Sequence, residues 1–173
     1  QKWRTSINRF AEAMTTAYSR RKGVDARVAR IFNTYGERMV PSDGRVVNSF
    51  VVQALRGDPL KVFGDGSQTR SFCHVSDQVA GLVALLESDY GNPVNIGNPE
   101  EVAIADLARM VIDAAGSKSS IVHVDLPEER AGDPGRRCPD IGLAGSVLGW
   151  EPRISLQEGV AAMITYFRNH EHF

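Results

Sequence analysis

Ala26-Arg-Val-Ala-Arg-Ile-Phe32 alternates small and apolar side chains with arginine, and this alternation predicts a β-strand. Before it, apolar residues recur at helical spacing from Ser6 to Lys22, and Gly23 is a natural helix stop because glycine adopts the left-handed conformation without strain. After it, a loop containing glycine and proline leads to a second predicted helix, residues 45–55. A strand between two helices is the repeating unit of an α/β protein.

The same alternation continues towards the C-terminus. Further strands are predicted at residues 60–63, 70–74, 93–97 and 120–125. Further helices are predicted at residues 77–86, with Ser76 as N-cap, at residues 104–115, and after the capping-box sequence Ser155-Leu-Gln-Glu158. The longest predicted loop, residues 127–139, is polar and rich in glycine and proline. We therefore expect an α/β fold with at least part of a parallel sheet.

The bulk composition is that of an ordinary globular protein with a buried core, since 42% of its 173 residues are hydrophobic and 24% charged. The net charge of −1 gives no reason to expect nucleic acid or a membrane surface as a partner. No apolar run reaches the roughly 18 residues of a membrane-spanning helix. Cys73 and Cys138 do not form a disulfide framework, so we expect two free thiols and a cytoplasmic protein. The histidines lack metal-ligand spacing, so no metal is expected.

Candidate anion contacts lie in loops and at the ends of predicted elements. Asn33 follows the strand that ends at Phe32, and α/β folds place ligand contacts beyond the carboxyl ends of strands. Arginine side chains match the oxygens of phosphate and carboxylate groups bidentately. The arginines in such positions are Arg38, Arg45, Arg70, Arg136 and Arg137. The alternative for each is a solvated or structural charge, for example an ion pair of Arg70 with Asp65.

Other patterns are poor candidates for catalysis. Gly64-Asp-Gly66 lacks the third glycine of a dinucleotide-binding loop and is followed by a predicted strand, so a turn is expected. Glu128, Glu129 and Asp133 form an acidic stretch of the long loop, a pattern more typical of a flexible loop than of an acid/base pair. The residues therefore favour binding of an anion over cleavage of a bond.

Six motifs, in the same order along the chain, resemble those of the extended short-chain dehydrogenases/reductases that act on nucleotide sugars. They are Arg30-Ile-Phe-Asn-Thr-Tyr-Gly36, Asp43-Gly-Arg-Val-Val47, Val62-Phe-Gly-Asp-Gly-Ser-Gln-Thr-Arg-Ser-Phe72, Asn95-Ile-Gly-Asn-Pro99, Arg137-Cys-Pro-Asp-Ile141 and Leu148-Gly-Trp-Glu-Pro152. The resemblance runs from about Arg9 to the end of the chain. Within this family, the second motif is most similar to that of the UDP-glucuronate decarboxylases.

The resemblance implies a substrate site. Asn33 matches an asparagine that contacts the diphosphate or the sugar, and Arg45 matches an arginine of the nucleotide-sugar pocket. Arg70 matches the residue that grips the diphosphate, and Arg137 matches an arginine near the diphosphate and sugar that assists chemistry at the carboxylate. Phe63 occupies a position where the family has tyrosine and keeps its stacking surface, and His74 replaces another family tyrosine.

The resemblance also implies a fold and a division of the chain. We expect the C-terminal part of a Rossmann-like extended short-chain dehydrogenase, without the N-terminal half that carries the Gly-x-x-Gly-x-x-Gly cofactor motif. Residues 1–36 would be a remnant of the Rossmann domain, and residues 37–173 mainly the substrate-binding region. The family's Tyr-x-x-x-Lys pair falls at Arg4 and Asn8, which do not supply its acid/base chemistry. Because the chain opens without methionine and runs at once into a helix, we expect it to be part of a longer protein.

The implied activity is that of an NAD-dependent enzyme that decarboxylates UDP-glucuronate to UDP-xylose through a 4-keto intermediate. A sugar-nucleotide 4,6-dehydratase or 4-epimerase is the alternative enzyme, and a non-catalytic nucleotide-sugar-binding or dimer-partner protein is the alternative from another class. The expected partners are a UDP-sugar and a second copy of the chain, because the helix from Ser6 to Lys22 corresponds to the dimer helix of the family. The isolated chain is expected to be inactive.

Overall fold

The computed structural model describes residues 2–127 and 135–170, with side chains from residue 9 onward. Helices and strands alternate as expected for an α/β protein. The helices are α1 (Lys2–Lys22), α2 (Val46–Arg56), α3 (Val75–Glu87), α4 (Ile104–Ala115), α5 (Gly142–Leu148) and α6 (Leu156–His170). The strands are β1 (Ala29–Ile31), β2 (Thr34–Tyr35), β3 (Leu60–Phe63), β4 (Thr69–Ser71), β5 (Cys73–His74), β6 (Val94–Ile96), β7 (Glu101–Ala103), β8 (Ile121–Val124) and β9 (Arg136–Arg137).

The described strands pair mainly in parallel, which confirms the predicted sheet type. Three of the sheets have two parallel strands each. In them β1 pairs with β6, β2 with β5, and β3 with β8. The fourth sheet has the order β7-β4-β9, in which β4 runs antiparallel to β7 and parallel to β9. In this sheet Thr69 lies opposite Arg136, and Arg70 lies opposite Arg137.

The larger hydrophobic core joins α2, α4 and α6 to β3. Phe50 of α2, Val62 of β3, Leu107 of α4 and Phe167 of α6 are all at most 1% exposed and belong to this one cluster. Each of the three helices turns one apolar face inward, the pattern of an amphipathic helix packed on a sheet. This core supports the strands that carry the candidate site.

A smaller core lies between α3, β6 and α5. Leu85, Ile96 and Trp150 are buried there, and the Trp150 indole nitrogen donates to the Asp77 carbonyl oxygen at 3.1 Å. The buried Asp77 carboxylate also accepts the backbone N–H groups of Arg153 and Ile154, at 3.0 and 2.8 Å. Asp77 therefore ties the start of α3 to the segment that leads into α6.

Helix α1 lies largely on the surface. Its Phe10, Met14 and Tyr18, spaced one helical turn apart, are 66%, 54% and 58% exposed. Both oxygens of its Glu12 carboxylate accept hydrogen bonds from the Arg30 guanidinium of β1, each at 2.7 Å. This ion pair links the helix to the strand.

The structure corrects predicted helix boundaries: α1 begins at Lys2 and not at Ser6, α2 is shifted by one residue, and α3 has a different N-cap. Ser76 is not the N-cap of α3, because the helix already begins at Val75 and His74 occupies the cap position. The His74 Nδ1 atom accepts the Ser76 N–H at 3.3 Å, as a serine or aspartate oxygen does at other N-caps. A histidine cap has no strong sequence signal, so the prediction chose the nearest serine.

The predicted capping box of the last helix is confirmed. The Glu158 carboxylate accepts from the Ser155 N–H and hydroxyl groups, at 3.0 and 2.7 Å, and the Ser155 hydroxyl accepts the Glu158 N–H at 3.2 Å. Strands β2, β7 and β9 and the short helix α5 were not predicted. Each of these strands has only two or three residues, too few for a recognisable alternation of apolar and polar side chains, and pairing with β4 or β5 stabilises them.

Candidate functional site

An open cleft of about 2070 Å³ runs along the carboxyl ends of β1, β3 and β4. All five residues predicted to contact the substrate line it, although they come from four distant segments of the sequence. They are Asn33, Arg45, Phe63, Arg70 and Arg137. The fold therefore brings the candidate residues together in one place.

Asn33 follows β1 and is bound to the neighbouring chain segment. Its Nδ2 atom donates to the Ser71 carbonyl oxygen at 3.2 Å, and its own carbonyl oxygen accepts the Cys73 N–H at 2.8 Å. These two bonds hold Asn33 against the end of β4. The side chain thus has a defined orientation at the cleft wall before any ligand arrives.

Arg70 and Arg137 lie side by side on β4 and β9. The Arg70 Nη1 atom donates to the carbonyl oxygens of Thr69 and Gly135, at 2.7 and 3.0 Å. The Asp65 carboxylate accepts both the N–H and the hydroxyl of Ser67, at 2.9 and 2.7 Å, and these bonds lower the pKa of Asp65. Asp65 thereby closes its own turn. Arg70 and Arg137 both line the cleft.

Arg45 stands at the entrance of the cleft, immediately before α2. Its side chain is 65% exposed, and its Nε atom lies 3.0 Å from the Asp43 carboxylate. Gly44 between them has a φ of +78°, a conformation that glycine adopts freely, so the loop can turn back on itself. Arg45 can reach a ligand only by sharing or leaving its contact with Asp43.

Phe63 is the last residue of β3 and is half-buried. The Gln68 side chain donates to the Phe63 carbonyl oxygen at 3.0 Å and so fixes the following turn. An aromatic ring in this position offers an apolar wall among the polar cleft residues.

Two of the five arginines flagged as anion contacts do not line the cleft. Arg136 instead forms a bidentate ion pair with Glu101, with its shortest contact at 2.6 Å, and Arg38 is exposed elsewhere. The structure therefore does not bring these two arginines to the cleft. Residue type alone does not distinguish a guanidinium that faces a cleft from one that holds two strands together.

The structure adds cleft residues that the sequence did not single out. Arg9 and Glu12 of α1 and Arg30 of β1 all line the cleft. Hydrogen bonding to Arg30 lowers the pKa of Glu12, which keeps the carboxylate charged and paired. Glu12 and Arg30 are 18 residues apart, so no local pattern could have joined them.

The turn Gly64-Asp-Gly66 is packed and does not form a phosphate cradle. A Cβ atom on Gly66 would lie 2.8 Å from Val62 and 2.9 Å from Ala105, and the Gly66 carbonyl oxygen accepts the Ala105 N–H at 3.0 Å. Gly66 is thus used for close packing of β3 against α4. This turn is therefore not a dinucleotide-binding loop.

Three buried groups near the cleft are structural. Burial, with a smaller contribution from Asp77, raises the pKa of the Cys73 thiol to about 12, and burial raises the pKa of Tyr35 well above its usual range. The Tyr35 ring packs edge-to-face on His74, with ring centroids 5.4 Å apart. The His74 Nε2 atom lies 3.4 Å from the Glu37 carboxylate. A neutral thiol and a neutral phenol are poor nucleophiles and bases at ordinary pH.

Some predicted features lie outside the described residues. They are the side chains of Arg4 and Asn8, and the loop residues Glu128, Glu129 and Asp133. Within residues 2–127 and 135–170, no helix is long and apolar enough to cross a membrane. The same part of the chain has no cluster of three His, Cys, Asp or Glu residues that could hold a metal ion.

The fold and the arginine-lined cleft define an α/β protein of the extended short-chain dehydrogenase class. The chain belongs to the GDP-mannose 4,6-dehydratase family, whose sequence profile matches residues 9–163. This result confirms the family resemblance of the six motifs.

Curated relatives and solved structures agree with this assignment. The chain is 50% identical over 165 residues to UDP-glucuronic acid decarboxylase 1 of Danio rerio, covering 95% of this chain and 39% of the relative. It is 49% identical over 161 residues to UDP-glucuronic acid decarboxylase 1 of Arabidopsis thaliana, covering 93% and 36%. The chain therefore spans about two fifths of the length of these curated relatives.

Two solved structures illustrate the fold. UDP-glucose 4-epimerase from Thermotoga maritima, solved with UDP-glucose, superposes with a TM-score of 0.86 at 30% identity, covering 91% of this chain and 50% of the epimerase. DesIV, a dTDP-glucose 4,6-dehydratase from Streptomyces venezuelae solved with NAD and TYD bound, superposes with a TM-score of 0.81 at 28% identity, covering 92% and 48%. The expected extended short-chain dehydrogenase fold is confirmed, and the chain covers about half of each of these two structures.

Proposed function

We propose that the chain is the nucleotide-sugar-binding part of an NAD-dependent enzyme that converts UDP-glucuronate to UDP-xylose. The proposal rests mainly on one observation: five residues predicted to contact the substrate line the same cleft. They are Asn33, Arg45, Phe63, Arg70 and Arg137. Sequence identity of about half to UDP-glucuronic acid decarboxylases supports the choice of substrate. The division into a Rossmann remnant, residues 1–36, and a substrate region, residues 37–173, is part of this proposal.

In this proposal the cleft residues bind and orient the substrate. Arg70 and Arg137 each direct a planar guanidinium group at the diphosphate or the sugar carboxylate, where paired N–H groups match paired oxygens. Asn33 donates to the diphosphate or sugar from the cleft wall, and Arg45 closes the entrance. Phe63 lies against an apolar face of the ligand. The side chains act by position and charge and do not form a covalent bond.

The chemistry proposed for the intact protein depends on the substrate's own functional groups. Bound NAD would accept and return a hydride at C4 of the sugar, and polypeptide outside the described residues would have to hold it. A ketone at C4 is β to the C5 carboxylate, an arrangement that loses carbon dioxide readily. Arg137, near the carboxylate, would orient it for that loss. The isolated chain is proposed to be inactive.

A sugar-nucleotide 4-epimerase or 4,6-dehydratase is the second candidate, because solved structures of such enzymes share this fold. UDP-glucose 4-epimerase and dTDP-glucose 4,6-dehydratase share this fold, and they differ from a decarboxylase in the reaction that the oxidised sugar undergoes. A non-catalytic nucleotide-sugar-binding or dimer-partner protein is the third possibility, and Arg4 and Asn8 at the acid/base positions favour it. The coding sequence upstream of Gln1 distinguishes it, because an enzyme requires a cofactor half with Tyr-x-x-x-Lys.

We also propose a homodimer formed through α1 and a cytoplasmic location. The exposed residues Phe10, Met14 and Tyr18 form an apolar stripe on α1, and such a stripe is typically covered by a partner. Two free cysteines, Cys73 and Cys138, are consistent with a reducing compartment. Sedimentation of the full-length protein with Met14→Glu tests the dimer, which this substitution is expected to dissociate.

The substrate proposal is tested by incubating the full-length protein with NAD and UDP-glucuronate. Release of carbon dioxide together with a pentose nucleotide is the expected result. A UDP-hexuronate epimer without carbon dioxide would favour the epimerase, and turnover of thymidine-linked glucose would favour the dehydratase. A protein that binds UDP but converts none of these sugars would favour the non-catalytic alternative.

A further inference from the structure

The β7-β4-β9 sheet has two faces with different contacts. Successive side chains of a strand point to opposite faces of its sheet. On one face Thr69 and Arg136 both contact Glu101, and on the other Arg70 and Arg137 line the cleft. Two adjacent arginines of the same short strand therefore have different partners.

Glu101 joins the side chains on the face of the sheet that points away from the cleft. Both of its carboxylate oxygens accept from the Arg136 Nε atom, at 3.0 and 2.8 Å, and Oε2 also accepts from Nη2 at 2.6 Å. Its Oε1 atom accepts the Thr69 hydroxyl at 2.7 Å. These hydrogen bonds lower the pKa of Glu101, with Arg136 as the main cause. One carboxylate on β7 thus holds both the central strand β4 and the outer strand β9.

Strand β9 depends on such a contact because it is short. It consists of Arg136 and Arg137, both exposed, and the backbone at its start is joined to β4 by the Thr69 N–H, which donates to the Gly135 carbonyl oxygen at 3.0 Å. A two-residue polar strand buries little apolar surface, so ion pairing and hydrogen bonding must hold it in register.

We propose that Glu101 is a positioning residue for Arg137. It fixes Arg136 on the far face of the sheet, and this fixes the direction of the neighbouring Arg137 side chain towards the cleft, opposite Arg70. Glu101 itself does not line the cleft, so it acts on ligand affinity only through β9. This inference rests on the proposed role of Arg70 and Arg137 as anion contacts.

The test is a double-mutant cycle on UDP affinity in the full-length protein, measured by calorimetric titration. Glu101→Gln is expected to weaken UDP binding by about threefold to tenfold. This loss is smaller than the tenfold or larger loss expected when a charge-assisted hydrogen bond to the ligand is removed, because Glu101 acts only indirectly. In an Arg137→Ala background, Glu101→Gln should have no further effect, because the residue it positions is gone. Arg136→Lys keeps the positive charge but cannot form the bidentate contact with Glu101, so the loss of UDP affinity should be intermediate.

Asp106→Asn is the matched control, since Asp106 forms an exposed ion pair with Arg109 at 2.6 Å on α4 and does not line the cleft. It should leave UDP affinity unchanged. An equal loss from Glu101→Gln in both backgrounds, or no loss in either, would overturn the proposal.

A second measurement does not need a ligand. Hydrogen exchange of the Arg137 and Thr69 amides should accelerate in Glu101→Gln and stay unchanged in Asp106→Asn. If the unaltered protein does not bind UDP, the proposed function of the cleft fails, and exchange still decides whether Glu101 holds β9. Unchanged exchange in Glu101→Gln would overturn the inference even if the cleft binds UDP as proposed.

Discussion

Arg70 lies directly opposite Arg137 in the parallel register of β4 and β9, and both side chains line the same cleft. A diphosphate or a carboxylate carries paired oxygens that two guanidinium groups can share. This arrangement, more than either arginine alone, supports a site for such an anion.

The first prediction concerns Arg70. Arg70→Ala should weaken UDP binding by about tenfold to a hundredfold, because a charge-assisted hydrogen bond contributes roughly 1.5–3 kcal/mol. Arg70→Lys should recover only part, since an ammonium keeps the charge but not the planar fork. Calorimetric titration of UDP measures the affinity, and the melting temperature is recorded beside it.

Arg109→Ala, which removes an exposed arginine outside the cleft, is the control and should leave affinity unchanged. If Arg70→Ala binds UDP normally but melts several degrees lower, Arg70 is structural, acting through its bonds to the carbonyl oxygens of Thr69 and Gly135.

The second prediction concerns the buried Asp77. Its Oδ2 atom accepts the N–H groups of Arg153 and Ile154, so Asp77→Ala should leave two partly buried donors unsatisfied, at roughly 1–3 kcal/mol each. Asp77→Asn keeps one carbonyl oxygen in the same place and should cost less. Urea unfolding followed by circular dichroism measures both variants. Equal stability losses in the two variants would contradict a role based on accepting these hydrogen bonds.

The third prediction concerns pH and the capping box of α6. Hydrogen bonds from Ser155 hold the pKa of Glu158 below its usual range, so the folded state binds this proton less readily than the unfolded state. The contribution of Glu158 to stability is therefore present above its unfolded-state pKa, about 4.3, and is lost as pH falls through the lower folded-state value.

The measurement is the melting-temperature difference between the unaltered protein and Glu158→Gln from pH 7 to pH 3. The difference should be positive at neutral pH and shrink in acid. Glu151→Gln, a change at an exposed glutamate outside the capping box, is the control. A difference that is constant with pH would show that the carboxylate charge does not matter.

The fourth prediction concerns the two cysteines. Because burial raises the pKa of Cys73 to about 12, its thiol should remain protonated and unreactive at pH 8 in the folded protein. The partly exposed Cys138 should react with a disulfide reagent. Of these two cysteines, such a reagent should label Cys138 rapidly in the native state and both Cys73 and Cys138 in denaturant. A folded Cys138→Ser variant that still reacts rapidly would contradict the buried position of Cys73.

Much of the fold could be predicted because its signals are local. Strand β3 and helix α4 begin and end at the predicted residues, since apolar periodicity and the glycine after α4 are read within a few positions. Gly57 and Gly116 adopt positive φ angles at the ends of α2 and α4, as expected of helix stops. The histidine cap of α3 could not be predicted, because His74 accepts the helix N–H only when β5 places its ring there.

The sequence by itself determined the α/β class, the family and the residue types available to bind an anion. Only the tertiary structure decided which of them meet. Arg136 and Arg137 are adjacent and chemically identical, yet one binds Glu101 and the other lines the cleft. The reason is physical: consecutive side chains of a strand face opposite sides of its sheet, and what lies on each side is set by segments distant in the sequence.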